Sequence, residues 1–296
     1  MGQSPLSPDA RVAMAGDAAL IKKVRAVDLI VGCALITAMV VAVALYLPFA
    51  DDWHHTFRPA ALQLLRGGAP YDLETYYNPP WALLPLVPLA LLPENIGRAI
   101  LFVLTLLSFT FVGVRLGARP LALGLLLISP PAVQCFLTGN IDWLAALGLV
   151  LPPHIGLLFL LVKPQIGAAV GFYWLIESFR QGGVAQVGRV IAPVALAFLL
   201  SLVPYGFWPA HLMRPVSAGW NASLWPMSIP LGLGWLAAAI RLRQVRLAMV
   251  ASPCLSPYVA LQSWTGALCA IVAWPVETAA VVIGLWMLVA VRLWGG

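Results

Sequence analysis

The residues best suited to chemistry in this sequence lie in the interval 51–93, which directly follows an apolar segment. Only 9% of the chain is charged, yet residues 51–74 contain four acids, two histidines and two arginines. A carboxylate beside an apolar span can act as a base, because partial burial raises its pKa toward that of the group it deprotonates. Asp51 and Asp52 are therefore the candidate catalytic residues.

Other polar side chains extend this chemistry. His54 and His55 stand beside the two acids, and histidine with carboxylate can bind a divalent metal ion. Adjacent side chains point in different directions, so we expect neither a metal site nor a cofactor. Lys163 lies in the middle of an apolar run, where an ammonium costs on the order of 2.5–3.5 kcal/mol. It must therefore face a cavity or a partner, or reach the membrane interface along its aliphatic stem.

The composition places these residues in an integral membrane protein. The chain is 61% hydrophobic, and several apolar runs approach the ~20 residues that a spanning helix needs. Its 296 residues allow about eight to ten spans, so we predict an all-α, polytopic bundle of short or broken transmembrane helices. The net charge of +6 comes from basic residues at the ends of apolar runs, a positive-inside pattern and not a nucleic-acid surface.

Prolines organise the predicted helices. The chain contains 25 of them, many within apolar runs, and each one ends or bends a helix. Such breaks persist in a membrane only where protein or a wet cavity covers them. We therefore predict broken helices around a cavity, with a turn at Lys163-Pro164-Gln165 between two antiparallel segments.

The first loop, residues 49–79, is predicted to contain a helix of its own. Its apolar side chains recur at helical spacing, and two glycines end the pattern. Arginines occupy the other faces, so the helix should lie on the membrane interface. The apolar face consists of Phe57, Ala60, Ala61, Leu64 and Leu65.

The charge distribution also predicts the topology. Three basic residues precede Val27–Pro48, which we interpret as an uncleaved first span with the N-terminus in the cytoplasm. Residues 1–21 should be a mobile cytoplasmic tail, and residues 22–296 a single transmembrane domain in the cell membrane. The loops 49–79 and 209–227 would then face the extracytoplasmic side.

A series of short motifs runs through this domain. The first loop reads Asp52-x-x-x-x-Phe57, then Leu65-x-Gly67-x-x-Pro70-Tyr71, then Tyr77-Asn78-Pro79-Pro80; Gly139-Asn140, Lys163-Pro164 and Ser252-Pro253 with Tyr258 follow. This pattern resembles that of the GT-C membrane glycosyltransferases, and most closely the GT87-like, DUF2029 group of polyprenyl-phosphate-mannose-dependent transferases. The chain departs from that group at Asn140, where a glutamine is common, and it is shorter than usual members.

The resemblance implies a GT-C-like fold that transfers a sugar, mannose by the closest likeness, from a polyprenyl-phosphate donor to an extracytoplasmic acceptor. It points to Asp52 as the general base, with Asp51 beside it. Membrane lipids are the other expected partners. Candidate ligands of the donor phosphate are Lys163, Arg58, Arg214 and His211. Candidate ligands of the sugar or acceptor are His54, His55, Tyr71, Asn78, Asn140, Asp142 and Gln165.

Two other functions fit the same residues, since a fold does not define a function. Broken helices and a buried lysine also suit a lipid or solute transporter, although the sequence shows no internal repeat of the kind many transporters have. A shortened GT-C-like fold also suits a non-catalytic membrane subunit. A test of sugar transfer separates the first function from the other two.

Overall fold

The computed structural model describes residues 26–213 and 221–294, and its regular structure is entirely helical. Thirteen α-helices occur in these ranges, together with short 3-10 and π segments, and the same ranges contain no strand. The all-α class predicted from the sequence is therefore confirmed. The predicted tail, residues 1–21, lies outside the described residues.

The helices follow one another through short connections. Proline opens many of them, because the first turn of a helix does not need its missing N–H group. The α-helices are α1 (Ala26–Tyr46), α2 (Arg58–Leu65), α3 (Val87–Ala90), α4 (Glu94–Arg115), α5 (Pro120–Leu127), α6 (Pro130–Thr138), α7 (Asp142–Gly148), α8 (Pro153–Leu160), α9 (Pro164–Tyr205), α10 (Ile229–Leu242), α11 (Val245–Cys254), α12 (Thr265–Ile271) and α13 (Pro275–Trp294). A π-helix spans Trp53–Phe57, and 3-10 helices span Pro70–Asp72, Pro80–Leu83, Trp208–Met213 and Leu261–Trp264.

Several of these helices are suited to a membrane. α4, α9 and α13 are long and apolar enough to cross one, and α5 with α6, bent by 51°, forms a fourth span if the pair is counted as one. Leu199, Val203, Ile283 and Leu288 are each more than half exposed on the outer faces of α9 and α13. Exposed apolar surface of this extent is unfavourable in water, whereas lipid solvates it. These features indicate a multi-pass membrane protein.

α9 consists of two helical arms joined by a turn. Gly182 and Gly183 depart from helical geometry, and Gly183 has a φ of +61°, which glycine adopts without strain. Leu157 of α8 clusters with Val190 and Val194 of the second arm, and α8 also packs along the first arm. Both arms therefore lie against α8, and the chain reverses at the two glycines.

The bundle has two chemically different ends. α4 has 22 residues, so these ends are separated by about 33 Å along its axis. At one end, Arg180 donates to the Ile240 carbonyl at 2.8 Å and Arg246 donates to the Leu116 carbonyl at 2.7 Å. These arginines satisfy carbonyl groups where α10 and α4 end. The opposite end holds the first loop and the turn before α9.

The helix predicted in the first loop is present as α2. Phe57, Ala60 and Ala61 are buried, as the helical spacing indicated. Leu65 is 48% exposed, so the buried face is shorter than predicted. The reason is local, because α2 ends at Leu65 and Gly67 then reverses the chain with a φ of +75°.

Candidate functional site

Asp52 follows a tightly held end of α1. Arg98, buried in the first turns of α4, donates to the carbonyls of Val43, Leu47 and Pro48, the Leu47 bond measuring 3.1 Å. Carbonyl groups at a helix C-terminus lack partners within the helix, and the guanidinium supplies them. Arg98 thereby fixes the chain that leads to Asp52. The sequence analysis missed Arg98; an arginine inside the apolar run of α4 was its signal.

Asn140 holds the Asp52 carboxylate. Its Nδ2 donates to Asp52 Oδ2 at 2.7 Å, and its Oδ1 accepts from the Ile141 N–H at 2.7 Å. The second bond orients the amide so that its N–H groups face the carboxylate. Gly139 makes this placement possible, because its φ is +69° and a Cβ there would come within 2.8 Å of the Trp53 side chain. The Asn140 side chain, expected to bind sugar, is thus engaged in supporting Asp52.

The surroundings of Asp52 favour proton exchange. Burial raises the pKa of the Asp52 carboxyl above its ordinary value. The Asn140 hydrogen bond, the nearby Thr138 hydroxyl and the Lys163 charge lower this pKa, whereas the Asp142 charge raises it. The Thr138 hydroxyl does not reach full hydrogen-bond geometry, so Asn140 is the firmer partner. Since Asp52 is only half-buried, its raised pKa and remaining access suit a general base.

Lys163 stands at the predicted turn, between α8 and α9, and pairs with Asp142. Its Nζ lies 3.4 Å from Asp142 Oδ2, and Ser263 Oγ donates to Asp142 Oδ1 at 2.6 Å. Asp142 is fully buried, and its Oδ2 accepts no hydrogen bond. The sequence predicted a partner for Lys163 but assigned Asp142 to sugar binding. Ser263 was missed, because an uncharged serine in the Leu261–Trp264 segment carries no distinctive signal.

Two predicted sugar ligands have structural contacts in the first loop. Asn78 Nδ2 donates to the Val162 carbonyl at 2.8 Å, which ties the loop to the residue before Lys163. The Tyr71 hydroxyl donates to the Asn78 carbonyl at 2.9 Å. His211, a predicted phosphate ligand, stacks on the Tyr71 ring with centroids 5.1 Å apart. These contacts join the loop that follows α9 to the first loop.

A second charged group lies on the exposed side of the first loop. His54 Nδ1 contacts Glu94, and Arg58 Nη1 lies 3.7 Å from Glu94 Oε2. His55 Nε2 lies 3.7 Å from Asp51 Oδ1. Glu94 opens α4, where the helix dipole favours a carboxylate, and the sequence analysis missed its role. Exposed pairs of this kind contribute little stability, because solvent screens them.

Two predicted site residues remain, Gln165 and Arg214. Gln165 follows the Lys163 turn, and its Oε1 is buried without a hydrogen bond. Arg214 lies outside the described residues. Cys135 and Tyr258 were not predicted as site residues, yet both lie close enough to Asp52 and Lys163 to interact with their charges. Within the two described ranges, no three histidine, cysteine or acidic side chains are grouped to hold a metal ion.

These contacts define one group of side chains, which we call the interior cluster. It contains Asp52, Asn140, Asp142, Lys163 and Ser263. It combines a half-buried acid with a buried lysine–aspartate pair, so it can exchange a proton at Asp52, and an anion can reach Lys163 only in competition with Asp142. Comparisons of the chain with protein-family models, with curated proteins and with solved structures find no match. The likeness to GT-C transferases stays a prediction from the quoted motifs.

Proposed function

We propose that this protein is a multi-pass membrane glycosyltransferase with a GT-C-like bundle of about eight to ten short or broken spans. It transfers a sugar, mannose by the likeness of its motifs, from a polyprenyl-phosphate donor to an extracytoplasmic acceptor. The observation that supports this proposal is the placement of Asp52. Its carboxylate is half-buried, is held by Asn140 at 2.7 Å and lies within the electrostatic reach of Lys163.

The proposed reaction is a single displacement at the anomeric carbon. The acceptor oxygen forms the new glycosidic bond while the bond to the donor phosphate breaks, and the phosphate leaves with the electron pair. Asp52 takes the proton of the acceptor hydroxyl, which is the role of a general base. By analogy with inverting hydrolases, one base on the acceptor side is sufficient, and the sugar inverts its configuration. A phosphate leaving group needs little protonation but does need a nearby cation.

Lys163 is the cation that best meets this need. It begins α9 at the same end of the bundle as Asp52, and an ammonium there can attract a phosphate as a point charge. Arg58 is less suited, since it lies beside Glu94 at the surface. His211 contributes its ring to the stack on Tyr71. Donor binding is therefore proposed to depend mainly on Lys163.

One observation favours a second candidate function, a non-catalytic membrane subunit. Lys163 is already neutralised by Asp142 at 3.4 Å, as in a purely structural buried ion pair. A transporter is the third candidate, supported by the broken helices. Catalysis requires that an incoming phosphate compete with Asp142 for the lysine. A structural subunit has no such requirement.

The decisive experiment is a transfer assay with purified protein in lipid nanodiscs. Radiolabelled polyprenyl-phosphate sugars are supplied with candidate acceptors, and labelled product is measured over time. The proposal predicts product formation with a polyprenyl-phosphate donor and none with a free sugar phosphate. Transport is tested in parallel by following the same donor across sealed vesicles. Absence of product with every donor and acceptor, in folded protein, would favour the non-catalytic candidate.

The proposed orientation makes a separate prediction. His55 lies in the first loop and Gly182 at the turn of α9, and these positions belong to opposite ends of the bundle. Single cysteines at the two positions, placed in a background without native cysteines, should react with a membrane-impermeant maleimide from opposite sides. Position 55 should react from outside intact cells, and position 182 only after permeabilisation. Labelling of both from one side would contradict this topology.

A further inference from the structure

Asp142 is held on one side only. Ser263 Oγ donates to its Oδ1 at 2.6 Å, whereas its Oδ2 accepts no hydrogen bond and faces Lys163 Nζ at 3.4 Å. The lysine is thus drawn toward Asp142 by charge, without the short contact of an optimal charged hydrogen bond. Because both side chains are buried, this attraction is weakly screened and extends to nearby groups.

Asp52 is one of those groups, because Asn140, whose amide holds the Asp52 carboxylate at 2.7 Å, comes two residues before Asp142. Elements on several sides contribute titratable or polar side chains that interact with it: Cys135, Thr138 and Asn140 from α6 and its end, Asp142 from α7, Lys163 from the turn before α9, and Tyr258 from the segment after α11. Lys163 is the one cation in this set, and Asp142 is the one other acid. The charge on Asp52 therefore depends on how these two are paired.

We infer that the Asp142–Lys163 ion pair is a positioning unit that sets the protonation of Asp52. Its lysine favours the ionised carboxylate, and its aspartate limits that effect by holding the ammonium and by repelling a second negative charge. The role assigned to Asp142 differs from sugar binding, since the residue is fully buried and acts through Lys163. The consequence for turnover rests on the proposed function, in which Asp52 is the base.

The inference predicts the order of the Asp52 titration midpoints among the variants of the ion pair. The Lys163 charge favours the ionised Asp52 carboxylate, and the Asp142 charge opposes that ionisation. Asp142→Asn should therefore shift the titration of Asp52 to lower pH, because the lysine then acts on Asp52 alone. Lys163→Met should shift it to higher pH. The double variant Asp142→Asn/Lys163→Met should titrate between the two single variants, because it loses both opposing effects.

The titration can be measured without any substrate. Infrared spectra of each protein in lipid nanodiscs are recorded across a pH series, and the carbonyl stretch of protonated carboxylic acid is followed. Subtraction of the matching Asp52→Asn spectrum isolates the Asp52 band. Asp72→Asn is the control, because Asp72 is an exposed acid of the same loop whose carboxylate accepts a hydrogen bond from Gln63. It should leave the Asp52 titration unchanged.

The titration midpoint of Asp142→Asn decides whether the inference holds. An Asp142→Asn midpoint at or above that of the wild type overturns the inference, since a merely structural Asp142 would alter stability without this downward shift. If Asp142→Asn does not fold, the double variant decides, because replacement of both buried charges is tolerated better than removal of one. A double-variant midpoint at or above that of Lys163→Met then overturns the inference, because removal of the Asp142 charge should lower it.

The same experiment separates this inference from the proposed function. If the rank order holds and the wild type transfers no sugar, the ion pair sets the charge of Asp52 but the protein is not a transferase. If transfer occurs and the rank order fails, Asp52 can still be the base while Asp142 has another role. If both hold, the acid limb of the pH–rate profile should move in the same order as the infrared midpoints.

Discussion

Asp52→Asn is expected to lower the rate of sugar transfer by about 10²–10⁴-fold, the range typical of losing a general base. Asparagine has nearly the same size and can still accept the hydrogen bond from Asn140 through its side-chain oxygen. It cannot take a proton from the acceptor hydroxyl. The variant should therefore fold and bind donor normally, while single-turnover transfer in nanodiscs becomes slow.

The rate of sugar transfer should also depend on pH through Asp52. Because burial raises the pKa of Asp52, the ionised base forms only as the pH rises through that raised value. The wild-type kcat/KM should increase with pH across this region, and Asp52→Asn should lose the rise. Asp51→Asn, an exposed neighbour, should keep nearly the wild-type rate and the same profile. Wild-type turnover by Asp52→Asn would show that another group accepts the proton.

Lys163→Met is expected to lower the free energy of unfolding by about 3–5 kcal/mol, the usual cost of removing one partner of a buried ion pair. Methionine fills a similar volume, but Asp142 is then left fully buried with no cation beside it. The hydrogen bond from Ser263 is retained and does not neutralise the carboxylate. Denaturation of the purified protein by increasing fractions of sodium dodecyl sulfate would measure the loss.

The double variant Asp142→Asn/Lys163→Met is the matched control for that measurement. It leaves no unpaired charge, and the new amide can still accept the Ser263 hydrogen bond. Its stability should return most of the way to that of the wild type, although donor use should stay impaired because the phosphate partner is missing. If the double variant is no more stable than Lys163→Met alone, the loss comes from packing around the lysine stem and the ion pair contributes little.

Much of the architecture could be predicted from local patterns. Long apolar runs indicate spans because a bilayer requires about 20 apolar residues of helix, and prolines indicate where those helices break. The turn at Lys163 followed from a charged residue and a proline within an apolar run. The position of Asp52 beyond α1 followed in the same way. These features depend on residues near one another in the chain.

The pairing of the polar side chains could not be predicted in this way. Asn140 reaches Asp52 across 88 positions, and Ser263 reaches Asp142 across 121. Such contacts depend on which helices pack together, and many packings satisfy the same apolar pattern. The sequence therefore identified a buried lysine that needs a partner, but only the packing of α7 against α8 and of the Leu261–Trp264 segment against α6 selected Asp142 and Ser263. A polar side chain buried in a membrane bundle must find a partner at short range, and the tertiary fold decides which residue is within reach.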